Sequence, residues 1–259
     1  MSKAVKDKTV YIYEDGKLTE SVQPVPVEMP AQFIINDREL LKVMVTPVQL
    51  REFAIGFLAG QGLIESLEDI KTEVIGEKKA VLYFELKGKE IVREDLMTTA
   101  FLNPGCGGGV SFKSLDLPVV ETKIKYKMAD LTVLMKETLK TMENHKTAGG
   151  FHCAALAYEG KLFYVAEDIG RHNAVDKVIG AALIDKRDFS KTVLFSTGRI
   201  TVEAVAKASR MRIPIMCSCS AVTNLAYSLA QRQGITLIGY MRSEKAKVYT
   251  GVERLKIAT

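Results

Sequence analysis

Residues 192–240 have the sequence TVLFSTGRITVEAVAKASRMRIPIMCSCSAVTNLAYSLAQRQGITLIGY, in which short apolar runs alternate with longer amphipathic stretches. Hydrophobic periodicity predicts three strands and two helices here: strands over 192–195, 214–217 and 235–240, and helices over 200–211 and 223–234. Thr223 is a suitable helix cap, and Gly234 a suitable helix end. Regular alternation of strands and helices predicts a mostly parallel sheet with helices on both faces.

The preceding residues extend this α/β pattern. Apolar residues recur at helical spacing from Met128, which predicts a helix that ends before Lys146. A strand pair is predicted over 151–158 and 161–166. Asn173 is predicted to cap the next helix, whose apolar stripe comprises Val175, Val178, Ile179, Ala182 and Leu183.

The first half of the chain predicts a smaller α+β domain. Expected strands cover a hairpin over 8–20 that turns at 14–17, a pair over 32–36 and 41–45, and further segments within 71–86. Thr46 as the cap and Pro47 as the first helical residue predict a helix that extends to Ala59 and stops at Gly60. We therefore predict two domains, over 1–125 and 126–259.

Composition places the chain among ordinary globular proteins. A hydrophobic fraction of 47% with 26% charged residues excludes the disordered and fibrous classes. The sequence shows neither a signal-peptide core nor an apolar run of membrane-spanning length, so we expect a cytoplasmic protein without a membrane partner. Its formal charge of +5 is mild and is not concentrated on one helix, which argues against nucleic-acid binding but suits a phosphorylated ligand or an acidic partner.

One cysteine lies in a glycine-rich segment, NPGCGGG, over residues 103–109. Glycines leave the Cys106 thiol unshielded, and successive backbone N–H groups can favour an anionic sulfur. These properties suit a thiol that exchanges groups with other molecules. A flexible linker with an accidental thiol explains the same residues equally well.

Two predicted strand-to-helix loops carry polar groups. In Ser196–Thr201, the hydroxyl of Ser196, the backbone at Gly198 and the guanidinium of Arg199 would face a phosphate at a helix N-terminus. An ordinary capped loop is the alternative. The other loop, over 167–173, combines Asp168 with an arginine and a histidine, which indicates a polar site. The alternative there is an internal Asp–Arg ion pair with a capping asparagine.

A zinc site is a further hypothesis. His152 and Cys153, with Cys217 and Cys219, partly follow the pattern of zinc-dependent base deaminases. Ala154 stands where those enzymes place a proton-transferring glutamate, and the C-x-C spacing is shorter than in closed zinc sites. We therefore expect buried packing for these residues and no permanently bound metal.

Taken together, several segments resemble the FdhD/NarQ family, the accessory sulfurtransferases required for formate dehydrogenase activity. The resemblance extends over nearly the whole chain, and its most specific string is EDIGRHNAVDKVIG at 167–180. The other segments are Thr46-Pro47, 54–58, the Cys106 loop, 147–150, 196–201, 236–242 and 248–250. The family's catalytic loop usually carries C-x-x-C, whereas this chain has Gly109 at the second position.

The resemblance implies a function and a fold. Cys106 would accept sulfur from a cysteine desulfurase as a persulfide and pass it to the bis-molybdopterin guanine dinucleotide form of the molybdenum cofactor, destined for formate dehydrogenase. The family's cofactor-binding stretch falls on Tyr240, Met241, Arg242, Ser243, Glu244 and Lys245, and we expect Ser196, Gly198, Arg199 and Asp168 to contribute. The larger domain would be a cytidine-deaminase-like three-layer α/β/α domain, in a homodimer. The alternatives are a cofactor-binding chaperone that transfers no sulfur and a zinc-dependent deaminase.

Overall fold

The structure of the protein, a computed structural model, describes residues 4–87 and 117–256. The glycine-rich loop and its thiol, Cys106, lie outside the described residues. The first half contains six strands and one helix: β1 (Val5–Glu14), β2 (Lys17–Pro26), β3 (Met29–Ile35), β4 (Arg38–Val45), α1 (Leu50–Gly60), β5 (Ile70–Gly76) and β6 (Val81–Leu86). The predicted hairpin and the predicted strands of this half are confirmed.

Two sheets form from these strands. β1 and β2 make a two-stranded antiparallel hairpin, and the other four strands form a sheet in the order β4-β3-β6-β5. Helix α1 packs on this second sheet, where the rings of Phe33 and Phe57 lie 4.5 Å apart between centroids. Phe33 and Phe53 are fully buried, so the apolar face of the sheet is covered by the helix.

The predicted start of α1 is wrong. The helix begins at Leu50, after Gln49 in a left-handed conformation with φ of 54°, and the Gln49 side chain makes no capping hydrogen bond. Thr46 instead accepts a hydrogen bond from the Ile169 N–H through its hydroxyl. Its own backbone N–H donates to Asp168 Oδ2. The Thr46 side chain, which the local sequence predicts as the cap of α1, is thus bound by a residue more than a hundred positions away.

The second half holds the larger sheet and five helices. Its elements are β7 (Tyr126–Lys127), α2 (Met128–Lys140), α3 (Glu143–Ala148), β8 (His152–Tyr158), β9 (Lys161–Asp168), α4 (Arg171–Ile184), β10 (Thr192–Ser196), α5 (Val202–Arg210), β11 (Ile215–Ser218), α6 (Asn224–Gln233), β12 (Thr236–Arg242), β13 (Lys245–Thr250) and β14 (Leu255–Lys256). The three strands and two helices predicted over 192–240 are confirmed. The Thr223 hydroxyl accepts from the Ala226 N–H, as predicted for a cap. The helix expected to run from Met128 almost to Lys146 is instead two helices, α2 and α3.

The large sheet has helices on both faces, as predicted. Its strand order is β13-β12-β11-β10-β8-β9. Leu131, Leu134 and Met135 of α2 cover one face, whereas α4, α5 and α6 pack on the other. The prediction of a mostly parallel sheet is wrong. β10, β11 and β12 are mutually parallel, but the β12–β13, β10–β8 and β8–β9 pairs are antiparallel. The sheet is therefore mixed, because β8 and β9 form a hairpin, as does β12 with β13.

Helices α1 and α4 cross in direct backbone contact at two glycines. A Cβ atom added at Gly56 would fall only 1.8 Å from the Asp176 carbonyl oxygen, and one added at Gly180 would fall 1.8 Å from the Glu52 carbonyl oxygen. The apolar residues of both helices belong to one continuous core. This contact joins the first half of the chain to the second.

Substitution of Gly56 by alanine is expected to lower the free energy of unfolding by about 3 kcal/mol, since the two helices must move apart. Gly76→Ala is the matched control, because a Cβ there would lie 3.4 Å from the Val81 carbonyl oxygen, an ordinary contact. Urea denaturation followed by circular dichroism measures both values. Equal losses in the two variants would contradict the steric explanation.

Among the helices of the described ranges, none combines the length and the apolar character that crossing a bilayer requires.

Candidate functional site

The predicted phosphate loop and the predicted cofactor stretch meet at one edge of the large sheet. β10 ends at Ser196 and β11 at Ser218, and because these strands are parallel, the loops that follow them lie side by side. Ser218 Oγ donates to the Gly198 carbonyl oxygen at 2.6 Å. Arg242 Nε donates to the Cys219 carbonyl oxygen at 3.0 Å. These two hydrogen bonds span 20 and 23 positions of the sequence, and together they link the loop after β10 to the end of β12.

Within the loop after β10, the predicted residues differ in what they face. Ser196 is buried, and its Oγ accepts from the Gly198 N–H at 3.1 Å, so it shapes the loop. A Cβ at Gly198 would lie 2.6 Å from Arg171 Cβ, so glycine is what lets this arginine lie against the loop. Arg199 is exposed and is the charged group of the loop that faces solvent.

The stretch from Tyr240 to Lys245 forms the end of β12, a turn and the start of β13. Met241 is 1% exposed and packs in the core beneath α2, so its side chain is not accessible from solvent. Tyr240, Arg242, Ser243, Glu244 and Lys245 are exposed. The Tyr240 ring lies 4.7 Å from Lys247 Nζ, a cation–π contact that places a further positive charge at this edge.

Asp168 lies at the end of β9 but has no exposed surface. Its Oδ1 accepts from the Gly170 N–H and Asn173 Nδ2, and its Oδ2 accepts from the Thr46 N–H and lies 2.7 Å from Lys177 Nζ. Four protein donors therefore occupy the carboxylate. Contrary to the prediction of ligand contact, its position fits a role in holding the loops.

The alternative explanation of this segment, an Asp–Arg ion pair, and the predicted Asn173 cap are both wrong. The cation that pairs with Asp168 is Lys177, not the neighbouring arginine. Asn173 does not cap the helix, because α4 begins at Arg171 after Gly170, and the Asn173 amide donates instead to Asp168 and to the Met44 carbonyl oxygen. The start of α4 is thereby fixed to β4 of the first half of the chain.

A cleft of about 590 Å³ lies between β4, α1, α4 and α5 and is lined by basic residues, of which the sequence indicated two and missed one. Arg171 and His172 at the start of α4 and Arg210 at the end of α5 line it, with apolar walls from Val43 and Phe57. The polar segment over 167–173 pointed to the first two. Arg210 carries no local signal, because only helix packing brings it to the cleft.

Burial makes these cations unusual. Desolvation lowers the pKa of Arg171, and the nearby positive charge of Arg199 lowers it further. Burial likewise lowers the pKa of Arg210. Arg171 Nε is buried without a hydrogen-bond partner in the described residues, and His172 Nε2 lies 3.0 Å from Glu203 Oε2 without the alignment of a hydrogen bond. An anion bound beside Arg171 would relieve the repulsion between Arg171 and Arg199. It would also give the unpaired Arg171 Nε a hydrogen-bond acceptor.

The three cysteines of the described residues are poor nucleophiles. Burial raises the pKa of Cys153 to about 12 and raises those of Cys217 and Cys219 as well. Within residues 4–87 and 117–256, no three His, Cys, Asp or Glu side chains are placed to share a metal ion. Of the hypothetical zinc ligands, Cys153 in β8 and Cys217 in β11 are buried in the sheet, as packing predicts, whereas His152 and Cys219 are partly exposed.

Fold and site define a mixed α/β protein with a cleft lined by basic residues beside the carboxyl edge of its larger sheet. The chain belongs to the FdhD/NarQ family, whose model matches residues 26–256. This confirms the resemblance that the segments around 167–180 indicated.

Individual relatives match along almost the full chain. A sulfur carrier protein FdhD from Geobacillus kaustophilus (strain HTA426) is 31% identical over 258 residues, which cover 98% of each chain. A protein of the same name from Bacillus subtilis (strain 168) is 33% identical over 98% of this chain and 97% of the relative. A crystal structure from Desulfotalea psychrophila, of a protein named as a formate dehydrogenase accessory protein, superposes with a TM-score of 0.78 at 27% identity, covering 98% of this chain and 100% of that one.

Proposed function

We propose that this protein is a sulfur carrier that accepts sulfur on Cys106 and delivers it to the molybdenum cofactor of formate dehydrogenase. The observation that carries the proposal is the near full-length similarity to relatives named sulfur carrier proteins. Desolvation raises the pKa of each of the three described cysteines, which supports the proposal because it leaves Cys106 as the candidate for a reactive thiolate. The structural relative's name supplies the connection with formate dehydrogenase.

The loading step is a thiol exchange. The Cys106 thiolate attacks the outer sulfur of the persulfide on a cysteine desulfurase, the old S–S bond breaks, and the desulfurase cysteine leaves as a thiolate. One sulfur atom moves without net oxidation or reduction. A single thiol suffices for this step, so Gly109 in place of a second cysteine does not prevent it.

The substrate that receives the sulfur is bis-molybdopterin guanine dinucleotide, an anion with several phosphates. Arg199, Arg171 and Arg242 are the guanidinium groups near the carboxyl edge that suit phosphate oxygens. In this proposal, the exposed residues of Tyr240–Lys245 hold one guanosine diphosphate end of the cofactor. The cleft lined by Arg171 and Arg210 lies beside it.

The partners, the oligomeric state, the cellular location and part of the fold assignment remain predictions. A cysteine desulfurase as donor, formate dehydrogenase as recipient, a homodimer and a cytoplasmic location follow from the family resemblance and the composition, and so does the cytidine-deaminase likeness of the three-layer domain. The division at residue 125 also stays a prediction. The zinc-deaminase alternative would require one tightly held zinc ion per chain, which elemental analysis measures.

The proposed function is tested by loading the purified protein. Incubation with a cysteine desulfurase and cysteine is expected to add the mass of one sulfur atom to the intact chain, and dithiothreitol should remove it because a persulfide is reducible. Mass spectrometry under non-reducing conditions measures the adduct. A chain that gains no sulfur from an active desulfurase would contradict the carrier function.

Replacement of Arg171 by methionine is expected to weaken GDP binding by about 10-fold to 100-fold, because a partly buried guanidinium gives a charge-assisted hydrogen bond worth about 1.5–3 kcal/mol. Lys161→Met is the matched control, since it removes one positive charge from the exposed β8–β9 turn. Isothermal titration calorimetry measures both dissociation constants. Equal weakening in the two variants would indicate a general charge effect and would remove Arg171 from the nucleotide site.

A further inference from the structure

The cleft between β4, α1, α4 and α5 combines apolar and basic surfaces. The first half of the chain contributes the apolar side chains of Leu41, Val43 and Phe57. The second half contributes Arg171 and Arg210, so the cleft lies where the two halves of the chain meet. Ligand sites of this size are mostly apolar, with a few charged groups that fix the orientation of the ligand. These surfaces suit a flat, largely apolar ring that carries an anionic group.

The fold holds both guanidinium groups in place before any ligand binds. Arg210 Nη1 donates to the Gly60 carbonyl oxygen at 2.7 Å, and its Nε would lie 3.0 Å from a Cβ atom added at Gly62. The Arg171 side chain packs against Gly198 in the loop after β10, and within the described residues its buried Nε has no hydrogen-bond partner. Guanidinium groups that are already ordered lose little conformational entropy when they bind an anion.

The two carboxylates that line the cleft differ in what they can still bind. Lys207 Nζ donates to both oxygens of Asp176, so that buried carboxylate is occupied. Glu203 Oε2 contacts His172 Nε2 at 3.0 Å without the alignment of a hydrogen bond. A carboxylate accepts two parallel hydrogen bonds, and the 2-amino-4-oxopyrimidine ring of pterins and of guanine presents the matching pair, a ring N–H and the adjacent amino group. Glu203 therefore suits this ring.

We propose that the cleft binds the pterin of the molybdenum cofactor, with Glu203 pairing to the pyrimidine edge and Arg210 to an anionic substituent. This inference rests on the proposed function, which assigns a guanosine diphosphate end of the same cofactor to Tyr240–Lys245. Arg171 lies between the two regions, because it lines both the cleft and the hollow beside Arg199. Since pterin and guanine share the recognised edge, position distinguishes them: the guanine belongs at the sheet edge and the pterin in the cleft.

A pterin probe tests the site in the full-length protein. Pterin-6-carboxylate is fluorescent and carries one anionic group, and its fluorescence anisotropy is expected to show saturable binding. Arg210→Met should raise the dissociation constant by about tenfold, because it removes a cation from the cleft. Arg232→Met is the matched control, because Arg232 is an exposed arginine of α6, outside the cleft. Absence of binding to the wild type, or equal weakening in the two variants, would overturn the proposal.

The pairing with Glu203 is tested by changing the ligand as well as the protein. Lumazine-6-carboxylate has an oxygen in place of the 2-amino group, so it should bind the wild-type protein about tenfold more weakly than pterin-6-carboxylate. In Glu203→Gln the two ligands should bind alike, since an amide cannot accept both donors. The ratio of the two dissociation constants is insensitive to a general loss of stability. A ratio that keeps its wild-type value in the variant would contradict the role of Glu203.

GDP distinguishes the pterin from the guanine. Saturating GDP should leave the probe bound, because the nucleotide occupies the sheet edge, whereas displacement of the probe would show that the cleft takes the guanine instead. Sulfur loading of the protein is measured separately. A protein that gains sulfur but does not bind the probe would overturn the pterin site alone, and one that binds the probe without gaining sulfur would contradict the carrier function alone.

Discussion

Replacement of Cys106 by alanine is expected to abolish sulfur uptake from a cysteine desulfurase. A thiolate is the species that attacks a persulfide, and a thiol whose pKa is about 12, as for Cys153, is almost entirely protonated at neutral pH. Burial shifts Cys217 and Cys219 in the same direction. The other cysteines are therefore poor substitutes for Cys106, and the intact mass of the variant should stay unchanged after incubation.

Cys219→Ala provides the matched control, because it removes the partly exposed thiol beside Arg242 while leaving Cys106 in place. Its mass should still increase by one sulfur atom. Complementation of a strain that lacks this protein distinguishes a sulfur carrier from a cofactor-binding chaperone, with formate dehydrogenase activity as the measurement. Cys106→Ala should give no formate dehydrogenase activity if sulfur transfer is required, whereas normal activity would support a cofactor-binding chaperone.

Replacement of Lys177 by methionine is expected to lower the free energy of unfolding by about 3–5 kcal/mol, because it leaves the Asp168 charge buried without its cation. Lys177 is fully buried, and its Nζ lies 2.7 Å from Asp168 Oδ2. The same ammonium donates to the carbonyl oxygens of Thr46 and Glu167, each at 3.2 Å. Burial lowers the pKa of Lys177, and Asp168 opposes that shift, so the pair depends on both partners.

Lys146→Met is the control for the Lys177 variant. Lys146 forms an ion pair with Glu143 on the surface, where such pairs contribute less than about 1 kcal/mol. Adding Asp168→Asn to Lys177→Met should recover part of the lost stability, because it removes the uncompensated charge. Guanidinium chloride denaturation measures the free energy of unfolding of the wild type and of each variant. A Lys177 variant no less stable than the Lys146 variant would contradict the assigned role of the buried pair.

The sequence predicted the position of those candidate-site residues that come at the end of a clearly apolar strand. The end of β10 and the end of β12 could be placed at one sheet edge because the apolar runs before them are unmistakable. Asp168 was predicted in a loop but is the last residue of β9, and its four donors come from residues between Thr46 and Lys177. Only those distant partners show that its carboxylate is already occupied.

The sequence by itself determined the alternation of strands and helices over 192–240, the N-terminal hairpin and the family, since apolar periodicity, turn residues and long specific strings are local properties. Tertiary structure alone decided the strand directions in the mixed sheet and the partners of Thr46 and Asn173. It also brought Arg210 to the cleft beside Arg171. The physical reason is that these features depend on contacts between distant segments, above all the close crossing of α1 and α4 at Gly56 and Gly180, and local propensity carries no information about which distant groups will meet.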